Sequence, residues 1–142
     1  MFDKKYEERL QLWHDFRSQL ETSLDPIQDT IEFYKSAPLN SIAADAWTQD
    51  SWPNPWELLE ENNYCAFVKI LAICYTLQLT DVLSQASYEI HIIRDNAKCN
   101  THYILIINKK IVIGFNGETY VQRHNLPDTA YSEIEYKMPP LH

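Results

Sequence analysis

A chain of 142 residues with 12 basic and 20 acidic side chains, a formal net charge of -8, carries too little positive charge to lie along a nucleic acid. Gly114 and Gly117 are its only glycines, which excludes a phosphate-cradling loop, a dinucleotide fingerprint and a serine nucleophile elbow, each of which needs glycines at set spacings. The longest apolar run, Cys65 to Tyr75, is broken by Lys69 and falls well short of the ~20 residues that span a bilayer, so no membrane partner is expected.

The length suits one domain, 1-142, able to bury roughly 70% of the surface its unfolded form exposes without a metal or disulfide staple. Three cysteines and the charged start Met1-Phe2-Asp3-Lys4-Lys5 point to a reducing, cytoplasmic setting with no secretory signal. Aromatic residues make up 13% of the chain, which suits either a contact surface for another protein or a thick core.

Residues 1-37 read as helical. Tyr6, Leu10, Trp13, Phe16 and Leu20 recur at three- or four-residue intervals and predict an amphipathic helix within 3-23, lying on the body or on a partner. Asp25-Pro26 is a cap followed by proline at the first helical position, and Ile27, Ile31 and Tyr34 supply the buried stripe of a second helix closed by Pro38. Residues 38-55 lose periodicity and form an aromatic loop. Residues 56-80 return to helix: Asn54-Pro55-Trp56-Glu57 is a capping-box start for a short helix to about Glu61, and a nearly all-apolar helix follows from about Tyr64 to Leu79. Residues 87-137 are β-branched and aromatic, with antiparallel strands expected at 88-94, 102-107 and 110-116 and weaker ones at 120-123 and 131-136. Helices first and strands afterwards predict an α+β fold, with amino-terminal helices and a central buried helix packed on a small antiparallel sheet.

Three side chains carry the sharpest chemical expectation. Cys65 heads the apolar helix, where the positive end of the helix dipole favours a thiolate. His102 opens one strand and Asn116 closes the next. A three-residue turn, Asn108-Lys109-Lys110, would set Ile107 opposite Ile111 and His102 opposite Asn116; a two-residue turn would bring Phe115 opposite His102 instead. Cysteine, then histidine, then asparagine in this order resembles the core of the transglutaminase-like and papain-fold cysteine enzymes. That resemblance implies Cys65 as nucleophile, His102 as base and Asn116 as its orienting group in an acyl transfer on a peptide or glutamine amide. No tryptophan follows His102, as those motifs usually have, so the fold without the activity is the other form of this expectation.

Each residue also has a plainer role: Cys65 as a small buried hydrophobe, His102 as a solvent-facing group, Asn116 as a turn residue before Gly117. Cys65 and Cys74 point to nearly opposite sides of a helix and cannot share a metal, while Cys99 falls in a turn as an exposed thiol. The histidines at 14, 91, 102, 124 and 142 show no i, i+4 pairing, so neither a metal nor a cofactor is expected.

Trp47, Trp52 and Trp56 sit on a segment stiffened by Pro53 and Pro55, either as a partner-binding surface together with Trp13 or as an internal clasp over the Cys65 helix. With the Tyr64-Cys65 helix that follows, this segment resembles small proteins of large tailed bacteriophages, which implies a virion or assembly role. The alternative to acyl transfer is therefore a structural protein that docks on protein partners, or on copies of itself, through its amphipathic helix and tryptophan loop.

Overall fold

The computed structural model describes residues 1–39, 44–97 and 100–141. Among the described residues four α-helices, α1 (Tyr6–Leu20), α2 (Pro26–Tyr34), α3 (Pro55–Glu61) and α4 (Ala66–Gln78), precede five strands, β1 (Tyr88–Asp95), β2 (Asn100–Ile107), β3 (Ile111–Ile113), β4 (Val121–Gln122) and β5 (Ala130–Lys137). The strands form one antiparallel sheet in the order β4-β3-β2-β1-β5. This is the α+β fold expected from the order of elements.

Local chemistry sets the helix starts. The Asp25 carboxylate accepts the Gln28 amide ahead of α2 at 3.2 Å. Asn54 and Glu57 close a reciprocal capping box on α3 at 2.9 and 3.1 Å, and Asn62 ends that helix in the left-handed conformation at φ 53°. α4 is buried on almost every side and packs against β1, β2 and α2.

α1 is bound to its own body. The Arg9 guanidinium donates to the carbonyls of Leu59 and Glu60, each at 3.1 Å, and to that of Lys4, so it satisfies the free end of α3. Trp13 is 2% exposed, and its ring N–H donates to Thr76 Oγ1 at 3.0 Å.

The sheet has two apolar faces. Tyr88, Ile90 and Ile92 of β1, Tyr103, Leu105 and Ile107 of β2, and Ile113 pack toward the helices. Ile93, Ile104, Ile106 and Val112 point the other way, against Phe115, Val121, Leu126 and Ala130. Because β4 and β5 are opposite edges, residues 123–129 must cross this second face, and Leu126 is the residue they contribute to it.

Candidate functional site

Cys65 is the N-cap of α4, with extended backbone at φ -132° and ψ 179° and no side-chain capping bond. Its thiol is half-buried and borders a recess lined by Asp45, Ala46, Trp47, Ala66, Phe67 and Tyr103. Cys74, deep in α4, is fully buried, and burial pushes its thiol far above the ordinary range. Cys99 lies outside the described residues.

The hairpin takes the three-residue turn, with Ile107 opposite Ile111 and positive φ at Asn108 and Lys109. Pairing nevertheless stops at Leu105–Ile113. Gly114 turns the chain at φ 103°, where an added Cβ would lie 2.5 Å from the Tyr103 carbonyl oxygen and 2.7 Å from Ile70 Cδ1. The register that would have set Asn116 against His102 is therefore never reached. The Phe115 ring lies against the His102 ring instead, at 4.8 Å between centroids, and the Asn116 side chain accepts the Glu118 amide at 3.0 Å, an ordinary turn role.

Strand alternation separates the histidine from the cysteine. His102 pairs with Ile93, and directly opposed residues share a face, so its side chain lies on the face turned away from α4. Tyr103 is the residue presented to α4, its ring 5.9 Å from that of Phe67. No hydrogen bond links Cys65, His102 and Asn116 among the described residues.

The tryptophans divide. Trp13 is core, and Trp52, half-buried, packs its ring 4.9 Å from Phe67 and 4.7 Å from Tyr136 while donating to the Asp45 carbonyl at 3.0 Å. Trp52 is thus the internal clasp. Trp47 and Trp56 are half exposed, Trp56 edge-on to Trp13.

What the fold does assemble is a cavity of about 330 Å³ between α2, α4 and the end of the β2–β3 hairpin. Ile31, Ile70, Ile73 and Ile113 line it with apolar surface; Lys35, Lys69, His102 and Asn116 stand around it. It shares Ala66 and Tyr103 with the recess beside Cys65, so the two form neighbouring hollows over the first turns of α4.

The two lysines differ. Lys35 is held by Glu118 and Glu32, each at 2.9 Å, which raise its pKa. Lys69 forms no ion pair among the described residues, and burial lowers its pKa. It was the interruption in the apolar run; the sequence signal was a lysine inside an otherwise buried helix. Across the sheet, Glu89, His91 and Glu135 form a second polar cluster, which histidine spacing along a helix had no means to reveal.

Compared with known proteins, the chain matches no family model, no curated protein and no solved structure.

Proposed function

We propose that this chain is a non-catalytic binding domain that takes up a small amphipathic anion in the cavity between α2, α4 and the β2–β3 hairpin. One observation carries this reading: Lys69 borders an apolar hollow, its charge is partly desolvated, and it forms no ion pair among the described residues. A partly desolvated charge without a counter-ion favours a ligand that supplies one. The amino-terminal end of α4 adds to the attraction, because no side chain caps it and its first turn holds no acid. The volume suits an aromatic or short aliphatic body, since a water molecule's share of the liquid is about 30 Å³. The net charge of -8 opposes anions at a distance, so recognition rests on these local groups, within a Debye length of about 8 Å at physiological salt.

Docking through α1 and the tryptophan loop has less support, because Arg9, Trp13 and Trp52 spend their contacts inside the molecule. Acyl transfer by Cys65, His102 and Asn116 has less again, since no hydrogen bond joins the three among the described residues, the His102 ring packs on Phe115, and Asn116 is engaged with the Glu118 amide.

The probe is 1-anilinonaphthalene-8-sulfonate, an apolar ring system with one fixed negative charge. The wild-type chain should bind one equivalent with saturable fluorescence. Lys69→Met, which removes the charge and keeps the stem, should weaken binding about tenfold, and Ile73→Trp, which fills the cavity, should abolish it. Equal affinity in Lys69→Met, or no saturable binding by the folded wild type, would end this reading.

A further inference from the structure

The face of the sheet turned away from the helices holds a polar cluster that the cavity does not use. Glu89 and His91 are two residues apart on β1 and so share a face, and the antiparallel register sets Glu135 of β5 directly beside His91. One donor atom from each of the three lies within 4.8 Å of the others. His91 is 1% exposed and the Glu89 side chain 12%, while Glu135 stands open to solvent.

The ring of His91 is already oriented. Ser132 Oγ lies 2.8 Å from Nδ1, and Glu89 Oε1 lies 3.4 Å from Nε2. Ser132 Oγ either donates to Nδ1 or accepts its proton; in the tautomer where it accepts, the Nε2 lone pair faces the Glu89 carboxylate, the outer-shell arrangement that metal-ligating histidines use. In that tautomer the lone pair and a carboxylate oxygen face one another 3.4 Å apart, and the basic group paired with both carboxylates is the His91 ring itself, with Glu135 Oε1 4.0 Å from Nδ1. Among the described residues neither Glu89 nor Glu135 has an ion pair with a lysine or arginine. Arg94 is taken by Glu133 at 2.6 Å, and Lys137, opposite Glu89 in the register, forms no ion pair with it.

We propose that Glu89, His91 and Glu135 form a binding site for a divalent first-row transition ion such as Zn²⁺. A divalent cation would neutralise two carboxylates and occupy the imidazole lone pair, and the imidazole selects Zn²⁺ or Co²⁺ over Mg²⁺ and Ca²⁺. The present donor spacing is wider than the roughly 3.3 Å between ligands on a tetrahedral ion with bonds of about 2.0–2.1 Å. Closure therefore falls to Glu135, the exposed side chain, whose Oε1 lies 4.0 Å from Nδ1 and must swing along the ring edge to the Nε2 side, with water completing the coordination. The site lies across the sheet from the Lys69 cavity and stands or falls independently of it.

Zn²⁺ titration of the full chain by calorimetry, with Co²⁺ absorption as a coordination readout, tests the proposal. The wild type should take up one equivalent, with visible Co²⁺ bands displaced by Zn²⁺ and not by Mg²⁺. Glu135→Gln, exposed and harmless to folding, should weaken binding about tenfold or more, and Glu89→Gln likewise. No uptake at millimolar Zn²⁺ would overturn the site. So would uptake unchanged in both variants, which would assign the ion to surface histidines such as His14 or His124.

Discussion

Replacing Thr76 with valine should cost far more than its single hydroxyl suggests. That oxygen donates to the Ala72 carbonyl at 2.7 Å, accepts the Trp13 ring N–H at 3.0 Å, and lies 2.9 Å from the Tyr34 hydroxyl. A hydroxyl has one proton and two lone pairs. The proton goes to Ala72, so Tyr34 must be the donor in its pair, and the oxygen is saturated. Thr76 is 0% exposed and Trp13 and Tyr34 are 2% exposed, so no water replaces it. Valine would strand two buried donors, at about 1–3 kcal/mol each, offset by about 0.8 kcal/mol for the added buried methyl. The expected net loss is about 1–5 kcal/mol, large against the roughly 5–15 kcal/mol that holds a domain together. Urea unfolding of wild type, Thr76→Val, Tyr34→Phe and the double variant measures it. The double variant should be less destabilised than the sum of the two singles, because phenylalanine removes one of the stranded donors. A loss below about 0.5 kcal/mol for Thr76→Val, or strict additivity, would refute a hub joining α1, α2 and α4.

Arg9→Ala should lower stability by about 2–4 kcal/mol, since it strips donors from three carbonyls at a site where the guanidinium is almost fully covered; urea midpoints check this. Gly114→Ala should destabilise by more than 1 kcal/mol, about the ordinary cost of a side chain at such a φ, because backbone and Ile70 both obstruct the new atom; the same assay with the sulfonate probe reports whether the cavity is distorted as well. Burial pushes the Tyr34 hydroxyl from its ordinary value of 10.0 up to about 12. Its folded pKa is raised, so its contribution is complete below pH 10 and is lost as pH climbs from 10 toward 12, on the order of 1 kcal/mol per pH unit. Tyr34→Phe should flatten that part of the stability profile, though Tyr64, Tyr75 and Tyr88, also raised by burial, keep some slope. Iodoacetamide should label the half-buried Cys65 in the folded chain at a rate unchanged by His102→Ala, and should reach Cys74 only after unfolding; mass spectrometry of the digest separates the two.

The helix starts were legible because their chemistry is local. Asp25-Pro26 and Asn54-Pro55-Trp56-Glu57 contain both partners of each capping bond within four residues, and the structure closes those bonds. The strands were legible from β-branched runs, and β3 came out shorter than read because Gly114 ends it against Tyr103 and Ile70. The fates of Trp13 and Trp52 were not legible, since a tryptophan in an amphipathic helix or a stiff loop serves a partner or a core equally well. Their observed neighbours, Thr76 and Tyr136, are distant in sequence. The Glu89-x-His91 pair is visible in the sequence, but Glu135 joins it only through the β1–β5 register.

The facing of His102 was out of reach for a different reason. A strand buried on one face alternates apolar and polar residues and so announces which side is inward; a strand buried on both faces does not. β2 runs Tyr103-Ile104-Leu105-Ile106-Ile107 because α4 covers one side and residues 123–129 cross the other, so its pattern holds no parity signal. Turn length could only relate His102 to β3, never to the helix. β2 meets α4 closely at its open end, where Gly114 sits without a side chain against both the Tyr103 carbonyl and Ile70, and Tyr103 meets Phe67. A slip of one residue would turn His102 to the face that Tyr103 now presents to α4, but it would also withdraw Tyr103 from Phe67 and carry Leu105 and Ile107 out of the helix-side core. The packing that forms the Lys69 cavity is thus the same packing that presents Tyr103, and not His102, to Phe67 of α4.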